Sequence, residues 1–283
     1  MNAATKLAFL GGGHMAWALI QGLLRHGVAA SQLRVGEPVG TQRARIQAEL
    51  GVLAVAKNDV AIRDATMVVL AVKPQQALSV LADLCPTLAL DGHRPLLLSI
   101  VAGTRVAELT ACCPDLLIVR AMPNRPALVG AGATALYAGP EADNAARSLA
   151  EQVCAAVGLT VWVRRESDLD IVTALSGSGP AYFFQLTEHM AAAATAQGLD
   201  PQTAEILAAQ ALRGAGAMLG GSANPGAQRE AVSSPGGTTA AALGTLAAGG
   251  FDKLVAAAIA AATARSAELA ALSRQAGNRE RPE

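Results

Sequence analysis

Through the first 165 residues, short, mostly apolar runs alternate with stretches whose apolar positions recur at helical spacing; after that the runs stop. The runs lie at 6–10, 33–36, 52–55, 66–72, 96–100, 116–121, 133–137 and 160–163. A run such as 66–72, with no polar alternation, is the pattern of a strand buried on both faces, as in a parallel sheet covered by helices. Between the runs the chain predicts a helix reaching Arg25 and capped by Gly27, a helix carrying Arg43 and Arg45, a short helix capped by Asn58, and helices over 75–84 and 141–157. Strands alternating with helices define an α/β fold, a Rossmann-like, doubly wound sheet. Past Glu166 the chain reads as Ala-rich helix alone, at 171–176, 180–197, 202–219, 226–232, 239–247 and 251–275. There, Asp200-Pro201 is an N-cap with proline at the first helical position. The expected division is an α/β domain over 1–165 and an all-α domain over 166–283. The second has broad Ala/Leu faces and few charges, as at Ala256 to Ala264, and is expected to pack on a copy of itself, at least as a homodimer.

Ligands of an open α/β sheet sit beyond the carboxyl ends of its strands. Irregular breaks at 11–16, 71–74, 101–103 and 121–126 all fall on that edge. The first, Gly11-Gly12-Gly13-His14-Met15-Ala16, is a G-x-G-x-x-A turn between strand and helix, the dinucleotide fingerprint. Gly11 makes the tight turn, Gly13 lets the backbone approach a pyrophosphate, and Ala16 allows helix to pack on strand. Residues 1–165 are therefore expected to bind a nicotinamide dinucleotide. Glu37 ends the second strand, where an acid often meets the ribose 2′-hydroxyl, whereas Arg43 and Arg45 are placed to face a 2′-phosphate. A solvated Glu37 on a charged helix face is the bland alternative. The pattern leaves NADH and NADPH both open, with Glu37 leaning toward NADH.

Two Gly/Ser-rich corners enter helices in the second half: Ser176-Gly177-Ser178-Gly179-Pro180-Ala181-Tyr182 and Ser233-Ser234-Pro235-Gly236-Gly237-Thr238-Thr239. In the latter, Thr238 or Thr239 is expected as the N-cap, and the unpaired N–H groups of the first turn suit a carboxylate.

Bulk properties exclude several classes. Lys plus Arg (22) equals Asp plus Glu (22) and aromatics are 3%, which argues against nucleic-acid binding. The longest apolar run, Leu254 to Ala262, is nine residues, too short for a bilayer span. Cys85, Cys112, Cys113 and Cys154 show no CxxC spacing and read as small buried thiols in a reducing compartment; His14, His26, His93 and His189 do not cluster, and no metal site is expected. The N-terminus lacks the pattern of a secretory signal, so a cytoplasmic location is expected.

Together with Ala71-Val72-Lys73-Pro74 and Arg120-Ala121-Met122-Pro123-Asn124-Arg125-Pro126, the blocks quoted above resemble, in order and spacing, the pyrroline-5-carboxylate reductase family over about residues 5–275. The resemblance implies an oxidoreductase that reduces Δ1-pyrroline-5-carboxylate to L-proline with NADPH or NADH, the last step of proline biosynthesis. It implies a Rossmann domain joined to a helical dimerisation domain, with dimers often assembled into rings. It assigns the substrate to Ser234, Gly237, Thr238 and Thr239, with the Thr239 hydroxyl as the catalytic partner of the ring nitrogen. It assigns the pyrophosphate to Gly11, Gly13, His14 and Met15, the adenosine end to Glu37 and Asn58, and the nicotinamide end to Ala71, Lys73, Pro74, Val101, Ala102 and Gly103. Two positions depart from the family pattern: His14 where an amide is usual, and Arg125 where threonine is usual. A β-hydroxy-acid dehydrogenase would rely on a lysine in the helical domain, and no lysine lies between Lys73 and Lys253. A non-catalytic nucleotide-binding regulator is the rival outside enzymes.

Overall fold

The computed structural model describes residues 1–2, 4–88, 94–220 and 224–279, with side chains as far as residue 272. His93 therefore lies outside the described residues, as does the side-chain detail of the last helix beyond that point.

Eight strands form one sheet in the order β3-β2-β1-β4-β5-β6-β7-β8. The strands are β1 (Leu7–Leu10), β2 (Leu33–Gly36), β3 (Leu53–Val55), β4 (Met67–Leu70), β5 (Leu96–Ser99), β6 (Leu117–Met122), β7 (Gly132–Ala138) and β8 (Gly158–Trp162). Between them run α1 (His14–Arg25), α2 (Gly40–Leu50), α3 (Asn58–Ala61), α4 (Ala77–Leu88), α5 (Val106–Cys112) and α6 (Asn144–Ala155). Every residue of β1, β4 and β5 is buried, which is why those segments read as continuous apolar runs. All pairs are parallel except β6 with β7, which is antiparallel. A single 3-10 turn, Arg125–Val129, joins those two strands; a parallel pair would need a full crossover helix. Separate buried clusters line the two faces of the sheet, one centred on Phe9, Leu19, Ile20 and Leu98, the other on Leu10, Leu70, Leu81 and Leu97.

Caps fall close to the expected places. α1 ends with Gly27 in the left-handed region (φ +84°), as the sequence predicts. α3 is capped one residue early, by Lys57, so Asn58 is its first helical residue and not its cap. The cysteines depart from expectation: Cys85 on α4 and Cys113 after α5 are joined in a disulfide, 28 residues apart in sequence. Packing of α4 beside α5 brings their Cα atoms to 5.5 Å, a closeness that spacing along the chain does not encode. Cys154 stays a buried thiol; desolvation, and after it the charge of Glu151, pushes its pKa up to about 12.

After the sheet come α7 (Asp168–Val172), a π turn (Thr173–Gly177), α8 (Gly179–Ala196), α9 (Pro201–Met218), α10 (Pro225–Ala231), α11 (Thr238–Ala248) and α12 (Phe251–Arg279). The chain divides into two compact units, Met1–Gly177 with Ala262–Glu283, and Ser178–Ala261. The end of α12 belongs to the sheet unit: Ser266 donates to Asp170 at 2.9 Å, and Ala270, fully buried, lies against Gly103. In the helical unit α8 packs on α9, whose start is capped by Asp200 accepting from the Thr203 N–H at 2.9 Å. Its only buried cluster among the described residues is Ala191, Ala204 and Ala208, with Ala194 against it.

The segment Phe251–Leu272 of α12 has mean hydropathy 1.4 and is 6% buried, long and apolar enough by length and composition to cross a membrane. Uninterrupted apolar residues alone did not reveal it, because isolated polar residues such as Thr263 break the run without lowering its mean much.

Candidate active site

Strand register places the breaks of the first unit side by side. Leu10 pairs with Gly36 on one side and Leu70 on the other, and Leu70 pairs with Ser99. Glu37, Gly11, Ala71 and Ile100 therefore follow one another, in that order, along the carboxyl edge of the sheet. Gly11 turns through φ +94°, its N–H donating to the Gly36 carbonyl at 2.8 Å. A Cβ there would stand 2.8 Å from the Ala71 carbonyl oxygen, so only glycine fits this conformation and this spacing. A Cβ on Gly13, by contrast, would meet nothing within 4 Å. Gly13 is the N-cap of α1 but offers no side chain, and no acid occupies the first turn. The N–H groups of His14, Met15 and Ala16 consequently have no helical acceptor, the arrangement that receives a phosphate. His14 is exposed at the mouth of this turn and Met15 half-buried.

At the end of β2, Asn58 Oδ1 is buried without a hydrogen-bond partner, and it lies against Gly36 so closely that a Cβ there would collide with it. At the other end, Lys73 is exposed and begins the 3-10 turn Pro74–Gln76, Val101 is buried, and Ala102 is exposed. An open glycine corner, uncapped helix N–H groups and an orphaned buried acceptor on one edge fit a dinucleotide.

Glu37 is not the solvated acid of the bland reading. It is only 8% exposed, and its two oxygens accept the Gly12 and Val39 N–H groups, each at 2.9 Å. Gln42 closes the same loop by donating to the Gly12 carbonyl at 2.7 Å. Neither Gly12 nor Gln42 stood out in the sequence, because the first is the variable position of the motif and the second a generic helix residue.

Charge is buried behind the loop after β5. Arg120 on β6 donates to Glu166 at 2.7 Å, and the same Glu166 oxygen accepts the Val106 N–H. Arg105 donates to Asp170 at 2.6 Å. Asn124 bridges neighbouring segments, accepting from Ala133 N–H and donating to the Ser176 carbonyl, both at 2.8 Å. The break 121–126 thus braces the π turn, a helix irregularity found often at functional sites; Arg125 points no charge at a described partner and is exposed.

In the second unit the corner before α11 is built from Gly236 at φ +72° and an extended Gly237, which is the N-cap. The helix therefore begins at Thr238, earlier than the expected threonine cap, because a glycine pair completes the turn without any side chain. Gly237 N–H donates to the Ser234 carbonyl at 3.0 Å, holding the corner closed. No side chain caps the helix and no acid occupies its first turn, which leaves the Thr238 and Thr239 N–H groups free of helical acceptors. Ser234, Gly237, Thr238 and Thr239 are thus gathered at one helix start. Pro180 occupies the second position of α8, not the first, since that helix starts at Gly179.

A dinucleotide edge on a doubly wound sheet, followed by a helical unit, defines a nicotinamide-dependent oxidoreductase. Residues 6–103 match the family described as NADP oxidoreductase, coenzyme F420-dependent, and residues 166–269 match pyrroline-5-carboxylate reductase dimerisation. The chain is 43% identical to the pyrroline-5-carboxylate reductase of Pseudomonas aeruginosa, covering 94% of this chain and 97% of that one, and 42% identical to that of Haemophilus influenzae, covering 94% and 98%. The solved reductase of Coxiella burnetii superposes with a TM-score of 0.90 at 35% identity, covering 94% of this chain and 98% of that chain. A Plasmodium falciparum reductase, solved with NADP bound, gives 0.80 at 29% identity over 94% and 98%. The chain belongs to the pyrroline-5-carboxylate reductase family.

Proposed function

We propose that this chain reduces Δ1-pyrroline-5-carboxylate to L-proline with NAD(P)H, the last step of proline biosynthesis, in the cytoplasm. In function, residues 1–165 are the dinucleotide-binding domain and 166–283 the helical domain that holds substrate and dimerises, as a homodimer or a larger ring of dimers, although 166–177 and the end of α12 fold with the sheet unit. The observation that carries the reading is the uncapped helix start at 233–239, in a chain whose other half presents a dinucleotide edge.

The substrate is a cyclic imine bearing a carboxylate. Its carboxylate is received by the N–H groups of Thr238 and Thr239 and by the Ser234 hydroxyl, where the α11 dipole adds favourable potential. Thr239 presents its hydroxyl to the ring nitrogen. Gly11, Gly13, His14 and Met15 hold the pyrophosphate, Glu37 and Asn58 the adenosine end, and Ala71, Lys73, Pro74, Val101, Ala102 and Gly103 the nicotinamide end. When bound, NAD(P)H supplies hydride from nicotinamide C4 to the imine carbon. Because a ring imine is basic enough to arrive partly protonated, the protein has only to orient it and stabilise its charge; no histidine or carboxylate pair is required.

Oxidation of NADH and NADPH in the presence of pyrroline-5-carboxylate tests the assignment. Saturable turnover is expected, and Thr239→Ala should cut kcat by about 10²-fold, the scale of one lost donor at a reacting atom. An unchanged rate removes Thr239 from the mechanism, while nucleotide binding without any turnover favours a regulator.

A further inference from the structure

We propose that Glu37 makes this enzyme select NADH over NADPH, an inference that rests on the dinucleotide assignment above but not on the imine substrate. The fold does not decide this choice, since one relative of similar fold carries NADP.

An acid at the end of the second strand is placed to accept from a ribose 2′-hydroxyl, and a 2′-phosphate brought there would meet like charge. Such an acid can still admit the phosphate if it swings away or if a neighbouring cation overrides it. The first route is closed here. The Glu37 carboxylate is pinned at both oxygens, Oε2 by the Gly12 N–H and Oε1 by the Val39 N–H. Glu37 is 8% exposed, and a Cβ on Gly12 would stand 3.3 Å from Oε2, so the carboxylate is wedged against the glycine loop. The Gly36 carbonyl accepts the Gly11 N–H, which ties the end of β2 to the same loop. As for a cation, each of the two arginines that follow already holds protein groups through one nitrogen. Arg43 Nη1 donates to the Glu37 and Pro38 carbonyls at 2.9 and 2.8 Å. Arg45 bonds Glu49 at 3.0 Å and lies 4.4 Å over the Trp17 ring. Each carboxylate oxygen retains a second lone pair, and those two remain for ribose hydroxyls.

Dissociation constants for NADH and NADPH, measured without substrate by the change in reduced-nicotinamide fluorescence, test the selection. Wild type should bind NADH tighter by about tenfold or more, from charge repulsion at close range. Glu37→Ser should narrow that ratio toward unity chiefly by tightening NADPH, and Glu37→Gln, which keeps the side-chain volume, should move it the same way. Equal or tighter NADPH binding by the wild type overturns the proposal. So does a variant pair that weakens both nucleotides alike, which would make Glu37 a brace of the glycine loop and nothing more. If neither nucleotide binds the wild type, the dinucleotide assignment itself fails; if both bind with the stated ratio and pyrroline-5-carboxylate is not turned over, only the substrate assignment fails.

Discussion

Phe9, Leu19, Leu70 and Leu97 in the sheet unit are fully out of solvent, whereas Phe184, Leu207 and Leu254 in the helical unit are 65%, 57% and 69% exposed. The first unit holds two large apolar clusters, the second a patch of three alanines. Both are built from about equally apolar sequence. The difference is that a sheet covered on both faces buries its side chains within one chain, while helices such as α8 and α9 satisfy only one face each. Large side chains left in water at that density mark an association surface. The match to a dimerisation family over 166–269 fits self-association.

Breaking the two kinds of burial should give opposite signatures. Leu207→Asp with Leu254→Asp should shift the solution mass, by sedimentation or light scattering, to that of a single chain and abolish turnover. Leu19→Ala should cost about 2–5 kcal/mol in denaturant unfolding yet leave the mass unchanged. If the aspartate pair leaves the assembly intact, the exposed face has another use. A smaller, local effect is expected at Gly11→Ala: the left-handed backbone and the close Ala71 carbonyl should weaken dinucleotide binding by about tenfold, with little change in association state. Smallest is a pH effect on α9. Hydrogen bonds from the Thr203 N–H, and then its hydroxyl, lower the pKa of Asp200 below its ordinary 3.8. A lowered folded-state value means stability that is present above 3.8 and lost as pH falls through the folded-state value. Asp200→Asn, which keeps a cap but cannot titrate, should flatten that acid limb of the unfolding curve in the helical unit without altering the sheet unit.

Much of the site was legible because its logic is local. Gly11 and Gly13 announce a turn and an open approach within a few residues of one another, and Gly236-Gly237 before Ala240-Ala241-Ala242 announces a helix start with bare N–H groups. Even there, the cap itself slipped by a residue, to Gly237 where the glycine pair completes the turn without a side chain, and to Lys57 in a row of polar residues among which only backbone dihedrals choose. Glu37 shows where local reading ends. Its position was evident, but its burial and its bond to Gly12, 25 residues away, exist only once β1 and β2 lie side by side.

By itself, then, the sequence determined the element order, the sheet class and the two glycine corners, because hydrophobic period, cap chemistry and glycine's freedom act over one or two turns of chain. Only the tertiary structure decided the antiparallel entry of β7, the Cys85–Cys113 bond, the return of α12 onto Gly103 and Asp170, and the pinning of Glu37. Each of these joins groups distant in sequence or picks one strand direction among those the pattern allows, and periodicity says what a segment buries without saying against what.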